Sequence, residues 1–234
     1  MGTEWIALGT ALTLGLLHAL ELDHMLAVTT FVSRRPAPRA AAWFGARWGI
    51  GHSLAVLAAG GVLLLSGVRW PERWDSAAEA LVGIVLIGLG VWAIASARKL
   101  HLHSVEEHGG HAHLHVHAAA REPHLHRHAD AAEASRPHDH GAVTLVGLLH
   151  GLAGTSAVVA LVPVTLADRV AVGLGYLTAF GIGVTVAMTL FALVAALAVR
   201  NASARSLDAG RWVTRMVGVA GMVVGVFWVV RAVS

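Results

Sequence analysis

The chain has 234 residues, of which 56% are hydrophobic and 13% charged, and its mean hydropathy is +0.66. Soluble domains carry about a quarter charged residues, so the composition excludes an ordinary soluble domain and predicts a polytopic all-α membrane protein. The sequence contains no cysteine, which excludes disulfides, zinc fingers and thiol catalysis. The formal charge of +3 is interpreted as arginine gathered in cytoplasmic loops, with the lipid bilayer and no nucleic acid as partner.

Hydropathy and helix breakers predict six transmembrane helices. In chain order they cover residues 4–32, 41–66, 77–97, 142–166, 170–199 and 211–233. The first ten residues, MGTEWIALGT, have no basic region, so they are interpreted as part of a retained span and not as a signal peptide. Arginine and lysine concentrate in the first, third and fifth loops, which predicts that those loops are cytoplasmic. Both termini are then expected outside a prokaryotic plasma membrane.

An internal repeat relates the two halves of the chain. GLLHAL at 15–20 recurs as GLLHGL at 147–152, which is 132 residues further on. GIGHS at 49–53 recurs as GIGVT at 181–185 with the same shift. Each repeat would contain three spans, an odd number, so the two copies must cross the membrane in opposite senses. The sequence therefore predicts an inverted 3+3 repeat, an arrangement common in secondary transporters with a site between the halves.

A third pair of similar segments, VGIVLIGLGVW at 82–92 and VGVAGMVVGVF at 217–227, supports this division. The predicted domains are a first three-helix repeat over 1–97, a histidine-rich loop over 98–141 and a second three-helix repeat over 142–234. Eight tryptophans are present, and they are interpreted as interfacial belts at the ends of the spans.

The loop over 98–141 holds twelve of the sixteen histidines among alanine, glutamate, glycine and arginine. It has few large apolar residues, so we expect it to be disordered and cytoplasmic. Clustered neutral imidazoles bind Ni, Co, Zn or Cu, and such a segment could pass ions to a cytoplasmic metallochaperone. A tolerated low-complexity insert is the alternative. The accessory candidates are His101, His103, His108, His111, His113, His115, His117, His124, His126, His128, His138 and His140.

The other four histidines lie inside predicted spans, where ionisable side chains are rare and functional by default. Imidazole nitrogen suits Ni, Co, Cu and Zn, whereas sites made only of oxygen suit Mg and Ca. The predicted transport site consists of His18, Asp23, His24 and His52.

The second half of the chain keeps fewer of these candidate ligands. His150 corresponds to His18, but Thr155 and Ser156 stand where the first half has Asp23 and His24. We therefore expect one asymmetric metal site, built mainly by the first three spans, with His150, Thr155 and Ser156 as weaker candidates.

Helical geometry places a condition on this site. On a regular helix Asp23 lies about 140° and His24 about 240° from His18 around the axis. Either the helix unwinds near residues 18–24 or some of these residues are not ligands, and the break is the favoured prediction. Glu21 is expected to snorkel or to pair with an arginine such as Arg47.

These motifs resemble a known family. His18-Ala-Leu-Glu-Leu-Asp23-His24 fits the H-x4-D-H motif of the nickel/cobalt transporter family, and GIGHSL at 49–54 resembles its second motif. HGLAGTSAVVALVP at 150–163 is similar to a segment of the urease-accessory-type nickel permeases. The resemblance implies a six-span secondary transporter whose substrate is Ni²⁺ or Co²⁺.

Uptake of Ni²⁺, with Co²⁺ as a second substrate, is the predicted function, with no cofactor and no enzymatic step. Efflux of the same metals, with the loop loading the pore, stays open as an alternative. A membrane metal sensor or storage protein and an intramembrane metalloenzyme are further alternatives. The H-E-x-x-H motif of metalloproteases and the P-loop of ATPases are both absent from the sequence.

Overall fold

A computed structural model describes residues 2–33, 37–66, 72–97, 100–102, 114–116, 138–153, 170–205 and 207–234. Within these ranges the chain forms helices and one small antiparallel sheet. The helices are α1 Gly2–His18, α2 Leu22–Val32, α3 Pro38–Ser66, α4 Glu72–Ala97, α5 His138–Leu152, α6 Val170–Arg205 and α7 Leu207–Val233. The strands are β1 Leu100–Leu102 and β2 Leu114–Val116.

Four of the described helices, α3, α4, α6 and α7, are long and apolar enough to cross a membrane. The pair α1 and α2 is a fifth candidate span, bent by 56° at a short break. The prediction of a multi-pass all-α membrane protein is thus confirmed with four to five candidate spans. The apolar part of α5, Val143–Leu152, is shorter than a span. The remainder of the predicted fourth span, from residue 154, lies outside the described residues.

The bend between α1 and α2 falls inside the predicted first span, where a break was the favoured prediction. The Leu20 amide donates to the Leu17 carbonyl and the Glu21 amide to the His18 carbonyl, each at 3.0 Å. These three-residue steps tighten the last turn of α1. Glu21 then has an extended backbone with ψ of 151°, and α2 begins at Leu22. The expected break of the helix is confirmed, and it spans residues 19–21.

Helices α3 and α6 cross antiparallel, with glycines that permit close backbone approach, as is common between membrane helices. The contacts across this crossing are Gly45 with Met188, Gly49 with Thr185, and Gly181 with Ser53. The core around the crossing contains large buried side chains, namely Trp48, Leu177 and Met188.

Three further helix pairs pack through glycine. A methyl group at Gly15 of α1 would overlap the carbonyl oxygen of Phe180 in α6, and one at Gly147 of α5 would overlap that of Trp48 in α3. Helices α4 and α7 likewise meet at facing glycines, Gly83 with Gly225 and Gly90 with Gly218. Larger residues at these positions would force the helices apart.

The predicted disordered loop contains the two short strands. Leu100 pairs with Val116 and Leu102 with Leu114, in antiparallel register. The sequences LHL and LHV alternate apolar residues with histidine, which is the period-two pattern of a strand. Regular structure in these residues departs from the expectation of disorder. Residues 103–113 and 117–137 of the loop lie outside the described part of the chain.

Candidate metal centre

The break between α1 and α2 brings His18 and His24 together. His18 is the last residue of α1 and His24 is the third residue of α2, and their ring centroids lie 4.5 Å apart. Both side chains are buried. A continuous helix would have pointed these rings in different directions, so the break itself creates the pair.

His52 of α3 completes a group of three rings, the histidine cluster. Its ring centroid lies 5.2 Å from that of His18 and 5.2 Å from that of His24. One ring nitrogen from each residue lies within 4.8 Å of the others. Nitrogen ligands at about 2.1 Å from a tetrahedral ion are about 3.4 Å apart. The rings would therefore have to approach one another by no more than about 1.4 Å to bind one ion.

Two carboxylates orient two of these rings. The Nδ1 atom of His24 lies 2.9 Å from Asp23 Oδ1, and that of His18 lies 2.8 Å from Glu21 Oε1. When Nδ1–H donates to a carboxylate, the lone pair of Nε2 stays available for a metal ion, which is the usual arrangement of metal-binding histidines. Glu21 thus contacts His18, a partner that was not predicted from the sequence. Glu21, Asp23 and His24 also bring one ligand atom each within 4.8 Å of the others.

Several buried ring nitrogens of this region lack a hydrogen-bond partner among the described residues. They are His18 Nε2, His24 Nε2, both ring nitrogens of His52 and both of His150. Buried polar atoms normally have a partner, because an unpaired one costs about 1–3 kcal/mol. A set of imidazole nitrogens that converge without partners fits the ligand preference of a divalent transition-metal ion.

The weaker candidates divide into two groups. His150 of α5 is buried beside the cluster, with its ring centroid 5.4 Å from that of His24. Thr155 and Ser156 lie outside the described residues. The side chains of the twelve loop histidines also lie outside them, although His101 and His115 pair through their backbones between β1 and β2.

Two aromatic residues beside the cluster were not predicted from the sequence. The ring of Trp48 stacks on that of His52, with centroids 5.4 Å apart and an interplanar angle of 20°. The ring of Phe180 stacks on that of His18 at 5.5 Å and 27°. Trp48 is fully buried, so the interpretation of all tryptophans as interfacial is wrong for this residue. Trp48 precedes His52 by one helical turn, and this spacing was the signal in the sequence for a contact between the two rings.

Comparison with known proteins adds one relative to this picture. The chain is 30% identical over 178 residues to the urease accessory protein UreH of Bacillus sp. (strain TB-90). The aligned region covers 76% of this chain and 71% of that protein. No family model and no solved structure matches the chain. The alignment is longer than the predicted loop together with either predicted repeat, so it includes part of both repeats.

Proposed function

The chain belongs to the family of the urease accessory protein UreH, and on this premise we propose that it is a secondary transporter that imports Ni²⁺. The observation that carries the proposal is the buried cluster of His18, His24 and His52 at the break of a candidate membrane span. The resemblance of its H-x4-D-H motif to nickel/cobalt transporters supports Ni²⁺ as substrate, with Co²⁺ second. Membrane potential favours cation influx by about 2.3 kcal/mol per charge per 100 mV.

In the proposed site the free Nε2 atoms of His18 and His24 and one ring nitrogen of His52 bind the ion. Asp23 and Glu21 hold the rings and offset part of the ion's charge, which matters most where water is scarce. The ligands come from α1, α2 and α3, which are parts of the proposed first repeat. Because His18 lies in α1 and His24 in α2, a small change in the angle between these helices would move the two ligands relative to each other.

The proposed architecture is six spans in an inverted 3+3 repeat, with a fourth span that begins in α5 and covers residues 142–166. Reciprocal glycine contacts support it. Gly15 and Gly147 are equivalent positions, 132 residues apart, and so are Trp48 and Phe180. The contact of Gly15 in α1 with Phe180 in α6 is therefore equivalent to the contact of Gly147 in α5 with Trp48 in α3. Such an equivalence is the property of a two-fold axis in the membrane plane.

The crossing of α3 and α6 supports the same axis. The Ser53 hydroxyl lies 2.8 Å from the Gly181 carbonyl oxygen and 3.3 Å from the Thr185 hydroxyl. The shift of 132 residues exchanges Ser53 with Thr185 and Gly49 with Gly181. The axis would then pass close to His52, which puts the ion site near the middle of the bilayer, where transporters of this kind bind their substrates.

In the proposed topology both termini lie outside and the histidine-rich loop lies in the cytoplasm, which is supported by the concentration of arginine and lysine in the first, third and fifth loops. Ions released inward would meet the loop histidines first. We propose that the loop collects these ions and passes them to a metallochaperone, and that it tunes transport without being essential to it.

Metal accumulation in cells tests both the direction and the site. Cells that express the protein should accumulate more Ni²⁺ than vector controls, and cells that express His52→Ala should not. His52 is the best choice because its ring makes no hydrogen bond among the described residues, so its removal leaves no buried carboxylate unpaired. Ser96→Ala, a buried position whose hydroxyl donates to the Trp92 carbonyl oxygen of the same helix, should accumulate Ni²⁺ like the unmodified protein.

Accumulation below the vector level would show efflux and would contradict uptake. Equal accumulation by His52→Ala and the unmodified protein would contradict the assigned site.

A further inference from the structure

Two buried aromatic rings flank the histidine cluster, one from each proposed repeat. Phe180 is 3% exposed and stacks on His18. Trp48 is 0% exposed, stacks on His52 and lies 5.5 Å from His150 between ring centroids. The shift of 132 residues exchanges Trp48 with Phe180 and His18 with His150. The ring pair Phe180–His18 is therefore the counterpart of the ring pair Trp48–His150.

The two rings lie at different heights along the axes of the crossing helices α3 and α6. Because these helices are antiparallel, with Gly49 beside Thr185 and Gly181 beside Ser53, residue 48 of α3 is level with about residue 186 of α6. Phe180 lies about six residues from that level, which is about 9 Å along the helices at 1.5 Å per residue. By the same correspondence His52 is level with about residue 182 of α6, so one aromatic residue lies on each side of its level.

We propose that Phe180 and Trp48 are the outer and inner gates of an alternating-access cycle, an inference that rests on the proposed transport function. A packed apolar ring blocks a hydrated divalent ion, because hydrophobic constrictions exclude the water the ion carries. Phe180 lies toward the end of α6 that begins outside in the proposed topology, and Trp48 lies toward the cytoplasmic end of α3. In the present structure both rings are buried, so both gates are closed.

Each gate contacts the histidine through which the ion would pass. Withdrawal of Phe180 would uncover His18 to the outside while Trp48 stays closed. Withdrawal of Trp48 would uncover His52 and His150 to the cytoplasm while Phe180 stays closed. The two-fold relation gives the two movements equivalent geometry, as inverted repeats do in other transporters.

The absence of cysteine from the sequence makes a direct test available. Leu14→Cys in α1 and Val146→Cys in α5 are matched reporters, because the shift of 132 residues exchanges them and each lies one turn before its histidine. Both positions are partly buried. Each reporter is labelled in proteoliposomes with a membrane-impermeant thiol reagent that is added to one face at a time.

Phe180→Ala should raise the labelling rate at position 14 from the outer face about tenfold, which corresponds to about 1.4 kcal/mol in the opening equilibrium. It should leave position 146 unchanged. Trp48→Ala should raise labelling at position 146 from the inner face by a similar factor and leave position 14 unchanged. Trp48→Phe keeps an apolar ring and should restore slow labelling.

Trp43→Ala in α3 and Leu190→Ala in α6 are matched controls, since these side chains are 59% and 56% exposed on the outer surface of the helices. They should change neither reporter. Labelling that stays slow in both gate variants, or that rises at both reporters from both faces, would overturn the gates. If the unmodified protein moves no Ni²⁺, the proposed function fails. If it moves Ni²⁺ without face-specific labelling, only the gates fail.

Discussion

The two carboxylates that orient the histidine rings form a matched pair for mutation. Asp23 lies 2.9 Å from the Nδ1 atom of His24, and its side chain is 11% exposed. Glu21 lies 2.8 Å from the Nδ1 atom of His18, and its side chain is 52% exposed. The contacts are alike in length and chemistry but differ in access to water, which predicts different effects on Ni²⁺ affinity.

Asp23→Asn keeps the size of the side chain and removes its charge. Loss of a carboxylate that orients a metal-binding histidine typically lowers metal affinity by about 10–100-fold, or about 1.4–2.7 kcal/mol. We expect the upper end of that range, because the buried charge of Asp23 also offsets that of the ion where screening is weak. Glu21→Gln should cost less than about tenfold, since water can replace an exposed partner.

Isothermal titration of the purified protein with Ni²⁺ measures both effects. The twelve loop histidines are first replaced by serine in every sample, so that the loop does not compete for the ion. Wild-type affinity in Asp23→Asn would refute a role for Asp23 at the site. A larger loss in Glu21→Gln than in Asp23→Asn would refute the reasoning from burial.

Three other perturbations have defined outcomes. Deletion of residues 101–137 should leave Ni²⁺ flux into liposomes measurable, because the described cluster contains no loop residue; a folded protein without flux would contradict this. Gly147→Ala should lower the thermal unfolding midpoint in detergent, since overpacking costs about 1–3 kcal/mol. Gly88→Ala, where a methyl group meets open space, should raise the midpoint, because alanine stabilises a helix by up to about 1 kcal/mol relative to glycine; equal midpoints for the two variants would contradict the packing argument. His150→Ala should reduce flux less than His52→Ala, because His150 lies outside the group of close ligand atoms; an equal loss would make His150 a full ligand.

The membrane class and most of the helices could be predicted from sequence because they depend on local composition. Long apolar runs need a hydrocarbon environment whatever their neighbours are. The break in the first span could also be predicted, because three ligands at positions 18, 23 and 24 cannot face one ion from a regular helix. Its location at residues 19–21 depends on backbone hydrogen bonds that sequence spacing does not determine.

The sequence indicated which histidines lie close together, but not the side chains that surround them. The structure brings together His18, His24 and His52, which the motif spacing had singled out. The contact of Glu21 with His18 joins residues three positions apart, a spacing that brings side chains together on a helix, so the sequence contained a signal for it that the prediction did not use. Phe180 reaches His18 from a helix far along the chain, and a single sequence gives no direct signal for such a contact.

Flux of radiolabelled Ni²⁺ into sealed proteoliposomes tests the central claim most directly, because a sensor, a store or an enzyme would bind the ion without moving it. The unmodified protein should accumulate Ni²⁺ inside the vesicles, and an inside-negative potential should increase the rate. His52→Ala, reconstituted to the same density, should fall to the level of protein-free liposomes. Binding of Ni²⁺ without flux in the unmodified protein, or normal flux in His52→Ala, would contradict transport through the histidine cluster.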